Sequence, residues 1–163
     1  MTVLTHDRVS VGDSLPELAV EVTPTTVVLG ALASRDWRPM HHDYKFATER
    51  NGLADIFLNT PNQAAWFERY VTDWTGPRGR LGRMTFRMKT SVFPGDRMVF
   101  SAEVTGTERD DAGCGWATLD VRLTVAATEQ TPERLATTCT VRVALPDSPE
   151  DNPWSRTGDR WIP

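Results

Sequence analysis

Residues 59–77 read NTPNQAAWFERYVTDWTGP, and the architecture turns on them. Thr60 is placed to cap a helix, Pro61 suits its first turn, and Gln63 completes a Thr-x-x-Gln capping box. Ala64, Phe67, Val71 and Trp74 then recur at three- and four-residue spacing, and Gly76-Pro77 stops the run. The pattern predicts one amphipathic helix, roughly 24 Å long at the usual rise per residue.

Downstream, the period changes from helical to alternating. In RMTFRMK (83–89), Met84, Phe86 and Met88 alternate with Arg83, Thr85, Arg87 and Lys89, which share the other face. A Pro-Gly-Asp turn at 94–96 leads into RMVFSAEVTG. Next comes WATLDVRLTVAAT, with Leu119, Val121, Leu123 and Val125 on one side. RLATTCTVRVAL closes the set with Leu135, Cys139, Val141 and Val143. Upstream, VGDSLPELAVEVTP alternates Leu18, Val20 and Val22. Thr23-Pro24 then starts a short helix, about residues 24–33, expected to bury Val27, Val28 and Ala31. A sheet with one apolar face and one long helix to cover it make an α+β plan, a curved antiparallel sheet around a central helix.

The chain has 163 residues, room for one domain with a sizeable core. We expect that domain over 1–145 and a separate extension over 146–163. The extension, PDSPEDNPWSRTGDRWIP, has four prolines and two tryptophans, and is either a frayed tail or a strap over the domain or a neighbouring subunit. A net charge of −4 argues against a protein built to grip nucleic acid. No apolar stretch approaches the roughly 20 residues that span a bilayer. The opening MTVLTHDRVS lacks the pattern of an export signal, so a cytoplasmic location is expected. Cys114 and Cys139 are read as inert, reduced thiols.

The chemistry-bearing run is RDWRPMHHDYKFATERNG, residues 35–52. Asp36 and His41 converging on one water would form an acid/base pair, because imidazole titrates near neutrality and burial can tune the carboxyl. On spacing alone the simpler reading is a wet loop with Asp36 in a turn. A metal clip from His41, His42 and Asp43 is a third reading. It is disfavoured because adjacent side chains in extended chain point to opposite sides, so no metal is expected.

The segment SRDWRPMHHDYKFA resembles the signature of MaoC-like (R)-specific enoyl-CoA hydratases: Ser/Thr-Gly-Asp-x-Asn-Pro-x-His, then an acid and an alanine. Ser34, Asp36, Pro39, His41, Asp43 and Ala47 fall on it. The opening strand, the 59–76 helix and MKTSVFPGDRMVFSAEVTG are similar to further parts of that family's hot dog fold. The wording of 41–75 looks closer to the actinobacterial subfamily of heteromeric hydratases acting on steroid side-chain acyl-CoAs. The resemblance implies hydration of a trans-2-enoyl-CoA with Asp36 and His41 as the catalytic pair and no cofactor beyond the coenzyme A of the substrate. It also implies an oxyanion donor at the mouth of the central helix, where Asn59 replaces the family's glycine and Thr60 follows. Arg35 and Arg38 likewise replace a glycine and an asparagine. His42 is assigned beside the substrate or to holding the loop. Arg83, Arg87 and Lys89 either meet coenzyme A phosphates or form a solvated strand face. Trp66, Phe67, Tyr70 and Trp74 are assigned to core and subunit interface, with a wall of the acyl pocket as the alternative for some of them. The expected partner is a second copy or a second MaoC-like chain. A non-catalytic subunit, a thioesterase and a polyketide dehydratase on the same fold remain alternatives.

Overall fold

Phe67, Tyr70 and Val71 lie on one face of a helix and are 0%, 3% and 0% exposed, so the apolar stripe of the 59–77 segment is the face that meets the sheet. That helix, α2 (Thr60–Thr75), is one of two long elements of helix in a computed structural model describing residues 3–163. Met1 and Thr2, where the expected domain and the stretch read for an export signal begin, lie outside the described residues. The order is β1 (Leu18–Glu21), α1 (Pro24–Ala33), α2, β2 (Arg80–Met88), β3 (Arg97–Arg109), β4 (Gly115–Val125) and β5 (Arg134–Leu145). The five strands form one antiparallel sheet in the order β1-β3-β4-β5-β2. Among the described residues no helix is long and apolar enough to cross a membrane.

Alternation along the strands produces the core. Leu119, Val121, Leu123 and Val125 of β4 pair across the sheet with Val104, Ala102, Phe100 and Met98 of β3, all on the face under α2. Phe67 meets Phe86 and Phe100 edge-on at 5.2 Å between ring centroids, and Tyr70 stacks on Phe100 at 5.7 Å. Phe67 and Phe100, both 0% exposed, each contribute roughly 1.5–3 kcal/mol by transfer alone. Trp66 and Trp74 are only partly buried at the edge of this cluster.

α1 spans the predicted residues, Pro24–Ala33. Thr23 and Thr26 form its capping box, with Thr23 Oγ1 accepting from Thr26 N–H. Gly30 lets α1 settle on the start of α2: a Cβ there would lie 1.9 Å from the Asn62 amide nitrogen. Asn62 Nδ2 donates to the Thr26 carbonyl and ties the two helices together.

Three expectations are corrected. The cap of α2 is Asn59, whose Oδ1 accepts the Asn62 N–H at 3.2 Å, while Thr60 is the first helical residue. Thr60 and Gln63 therefore form no capping box. Gln63 faces the sheet and its Oε1 accepts from Thr137 Oγ1 at 2.8 Å, so its amide cannot turn back to the helix start. Lys89 lies past the end of β2, where its N–H bonds the Ala136 carbonyl, and so does not share a strand face with Arg83 and Arg87.

Of the two forms open to the extension, the strap is the one observed. Residues 146–163 run back over the end of the sheet, and their carbonyls accept from four arginines. Arg78 donates to Pro149 and Asp151, Arg80 to Pro153 and Arg156, Arg83 to Pro163, and Arg142 to Ile162. The Arg80 guanidinium lies 3.6 Å from the Trp161 ring centroid, and Trp161 packs on Trp116.

Candidate active site

The position of Asp36 follows from how α1 ends. Ser34 is the last residue of the helix cap, and Arg35 takes the left-handed conformation at φ 53°, alone among the described non-glycine residues. The Arg35 N–H bonds the Leu32 carbonyl and the Asp36 N–H bonds the Ala31 carbonyl, at 3.0 and 2.9 Å. That is the double bond pattern of a Schellman motif, which normally has glycine where this chain has Arg35. The motif turns the chain back on itself, so Asp36 stands against the start of α2.

His41 arrives by a second turn. Pro39 begins a single 3-10 turn, Pro39–His41, which buries the His41 side chain to 3% exposure. Its Nδ1 lies 2.8 Å from the Phe57 carbonyl oxygen, and its ring packs edge-on to Phe57 at 4.6 Å. A carbonyl can only accept, so Nδ1 carries the proton in the neutral ring and Nε2 carries the lone pair. Nε2 then faces Asp36 Oδ2 at 3.5 Å. The Asn59 amide donates to that same Oδ2 at 3.0 Å, and the Arg38 N–H donates to Oδ1 at 3.3 Å. The Asn59 bond first, then the Arg38 N–H and the nearby Arg38 charge, hold the Asp36 carboxyl below its ordinary value. Partial burial opposes them and is outweighed.

Two hydrogen-bond acceptors, a carboxylate oxygen and an imidazole nitrogen, thus face each other across a gap. At 3.5 Å the gap is too narrow for a water, but one seated beside both atoms can donate one O–H to each, leaving its oxygen lone pairs for an electrophilic carbon. Beside the pair is the mouth of α2. With Asn59 as cap, Pro61 has no N–H and the Asn62 N–H is taken, so Thr60 N–H is the first-turn donor left over at the positive end of the helix dipole.

The structure brings Asp36, His41 and Asn59 together. Thr60 is adjacent by backbone, but its hydroxyl points to Met88 Sδ at 3.3 Å. His42 is exposed, its N–H on the Pro39 carbonyl, and lies apart from the pair. Arg83 and Arg87 sit on the exposed face of β2, and Arg83 is engaged by the Pro163 carbonyl. Lys89 is exposed beside Met88. The site also uses residues that sequence reasoning missed. Phe57 fixes the His41 tautomer through its main chain, which no side-chain pattern could reveal. Ser34, assigned only as part of a motif, accepts from Asn59 Nδ2 at 2.8 Å. Cys114 and Cys139 are buried and unpaired. Burial raises both thiols, that of Cys139 to about 12, outside the range for a reactive thiolate.

Comparison with known proteins places this geometry in a wider set. The sequence model of the family described as "MaoC like domain" matches residues 10–129. The 3-oxo-4,17-pregnadiene-20-carboxyl-CoA hydratase beta subunit of Mycobacterium tuberculosis is 40% identical over 95 residues, 58% of this chain and 73% of that one. A chain of the ChsH1-ChsH2 complex from Mycobacterium tuberculosis superposes with a TM-score of 0.72 and 32% identity, over 83% of this chain and 98% of that one. The (R)-hydratase from A. caviae involved in PHA biosynthesis shares the fold at a TM-score of 0.70 and 24% identity, over 85% of this chain and 98% of the other.

Proposed function

This chain belongs to the MaoC like domain family, whose hot dog fold it has, and on that premise we propose that it is an (R)-specific enoyl-CoA hydratase. One observation carries the proposal: Asp36 Oδ2 and His41 Nε2 stand 3.5 Å apart, both as acceptors, beside the start of α2. Water held beside both atoms loses one proton to the pair as its oxygen bonds the β-carbon of a 2-enoyl thioester. The carbon–carbon π bond breaks, and the α-carbon receives a proton from the pair. No electron changes hands beyond the bonds named. Negative charge that develops on the thioester oxygen is met by the Thr60 or Asn59 N–H at the mouth of α2, where the helix dipole also favours it.

The relatives point to the substrate and to the assembly. The similar Mycobacterium tuberculosis protein is named as a beta subunit acting on a steroid-derived acyl-CoA, and the similar solved chain comes from a two-protein complex. We assign this chain a bulky acyl-CoA and a second MaoC-like chain as partner. Leu29, Leu32, Trp37 and Tyr44, on α1 and the loop that holds the pair, are 42–65% exposed, which suits a surface awaiting another subunit. Lys89, exposed one residue from the Met88 that touches Thr60, is well placed for a coenzyme A phosphate.

A non-catalytic role in such an assembly is the second reading, and the strained Arg35 directly before Asp36 is the observation that favours it. The test is purification alone and with a second MaoC-like chain, followed by a panel of enoyl-CoA substrates of rising bulk. Loss of enoyl absorbance with the thioester intact supports hydration, release of free thiol points to a thioesterase, and turnover confined to carrier-protein thioesters points to a polyketide dehydratase. If the assembly hydrates enoyl-CoA as fast with Asp36→Asn as without it, this chain is the silent subunit.

A further inference from the structure

We propose that Asn59 is a positioning residue for Asp36: its side-chain amide, anchored at the start of α2, fixes the carboxylate oxygen that faces His41. The amide is 1% exposed, and both its polar atoms are engaged. Oδ1 accepts the Asn62 N–H at 3.2 Å, while Nδ2 donates to Asp36 Oδ2 at 3.0 Å and to Ser34 Oγ at 2.8 Å. The orientation is not interchangeable. Only an acceptor can meet the Asn62 N–H, so the amino group must face the Asp36 loop.

This use of Asn59 differs from the oxyanion part expected of it, which needs only a backbone N–H. Here the side chain does separate work. Ser34 Oγ, which accepts from Asn59, itself donates toward the Gly30 and Ala31 carbonyls at the end of α1. Asn62 is held in turn by the Thr26 carbonyl and packed on Gly30. The amide therefore joins three elements, the end of α1, the Asp36 loop and the first turn of α2, through one rigid group. With Arg38 N–H on Oδ1, the carboxylate is held at both oxygens. Remove the amide and the carboxylate is free to rotate away from His41, because one backbone bond leaves that torsion soft. A glycine at position 59 would cap α2 but leave this contact unmade.

The titratable and charged groups facing Asp36 are His41 and Arg38, but the Asn59 bond is the largest cause that lowers its carboxyl, which gives this bond a titration signature that simple loss of a helix cap lacks. As a statement about catalysis the proposal rests on the hydratase reading above; as a statement about Asp36 it does not. The variant is Asn59→Ser, which keeps a good cap but is too short to cap Asn62 and reach Asp36 together. Three quantities are measured: the side-chain carboxyl titration of Asp36 by carbon NMR, assigned with Asp36→Asn; the pH–rate profile of enoyl-CoA hydration in the active assembly; and thermal unfolding. The Asp36 midpoint is expected to rise toward the ordinary carboxylate value, and the acid limb of kcat to rise with it. At neutral pH kcat is expected to fall by about tenfold, with KM little changed and the melting temperature lowered by no more than a few °C. An Asp36 midpoint that does not move overturns the proposal, whatever happens to the rate. A shifted midpoint in a chain that hydrates nothing leaves the clamp standing and removes the hydratase reading instead. Should Asn59→Ser fail to fold, Asn59→Asp keeps both size and cap, replaces the donor with a second carboxylate, and must raise the Asp36 midpoint further.

Discussion

The Phe57 carbonyl oxygen and His41 Nδ1 lie 2.8 Å apart, although 16 residues of chain separate them. This contact converts a generic imidazole into an oriented acceptor. It holds the Nδ1 proton, aims the Nε2 lone pair at Asp36, and is closed against exchange by burial of the ring. Phe57 precedes Leu58 and the α2 cap, and the Leu58 N–H is bonded to the Val92 carbonyl. The histidine therefore inherits its position from the segment that is tied to the β2–β3 connection and also starts the central helix, while Asp36 inherits its own from the end of α1. The pair forms where two independently fixed elements meet.

Removing either member should abolish most of the rate and little of the fold. Asp36→Asn and His41→Gln are each expected to lower kcat for enoyl-CoA hydration by about 10²–10⁴-fold. The double variant should be little worse than the poorer single one, since the two act on one water. Steady-state hydration by the three variants in the same assembly, with circular dichroism as the fold control, makes the check. Additive losses would mean the two side chains serve different steps.

Arg35 gives a prediction of opposite sign. A residue with a Cβ at φ 53° bears a cost of about 1–2 kcal/mol that glycine escapes. Glycine returns part of this through a floppier unfolded chain, about 0.4–1 kcal/mol. Arg35→Gly should therefore raise the melting temperature slightly, by roughly 1–3 °C, and Arg35→Val, β-branched at a left-handed position, should lower it. If both variants melt together, the left-handed turn is not held in solution.

The same residue shows where the sequence stops being legible. The start of α1 is plain because Thr23-Pro24 is a cap followed by a first-turn proline. Its end carries no glycine, so the Schellman turn that delivers Asp36 leaves no local mark. The period-two runs identify β2 to β5 because one face is dry and the other wet, and the 16-residue α2 follows from its stripe. Its cap is displaced by one residue because Asn59 and Thr60 are both good caps and only the packed structure chooses. Asp36 and His41 stand out by their resemblance to a known signature, since five residues of spacing do not imply a meeting. The Asn59–Asp36 bond spans 23 residues and depends on Gly30 admitting Asn62, a packing fact with no sequence pattern.

The acid side of the stability curve should report the Asp36 environment. Its native carboxyl titrates below the ordinary value of 3.8, chiefly because of the Asn59 bond, so ionised Asp36 favours the folded state. The sign follows: the contribution is fully present above the unfolded value and is lost as pH falls through the lower native one. Wild type and Asp36→Asn should therefore differ most in melting temperature from pH 5 upward, and converge as the pH falls below about 4. Asp110 and Asp151 are also held low, each against the opposing effect of its own burial, Asp110 chiefly by the Trp116 indole N–H and Asp151 chiefly by the Asp147 main-chain N–H and then Arg156. They add to the same acid loss in both proteins, so the convergence is read from the difference between the two curves. A gap of constant size down to pH 3 would mean that the native carboxyl is not shifted.

The C-terminal strap should depend most on Arg80. Its guanidinium donates to the Pro153 and Arg156 carbonyls while stacking over Trp161 and, at 5.5 Å, Trp154. Charge-assisted hydrogen bonds are worth about 1.5–3 kcal/mol each when partly shielded, and a desolvated cation–π contact about 2 kcal/mol or less. The sum is an upper bound, because an unstrapped tail regains chain entropy of about 1–2 kcal/mol per residue freed. Arg80→Lys retains the charge but loses the planar fork that bonds two carbonyls and stacks on indole together. Arg80→Ala should therefore release residues 146–163 to limited proteolysis, Arg80→Lys should do so partially, and Arg83→Ala, whose single carbonyl contact lies at the last residue, should have little effect. Because the strap lies at the opposite end of β2 from the Thr60–Met88 contact, the Arg80→Ala protein should keep its hydration rate while its tail is cut. Protection of the tail in Arg80→Ala equal to wild type would show that the tryptophans hold the strap without the arginine.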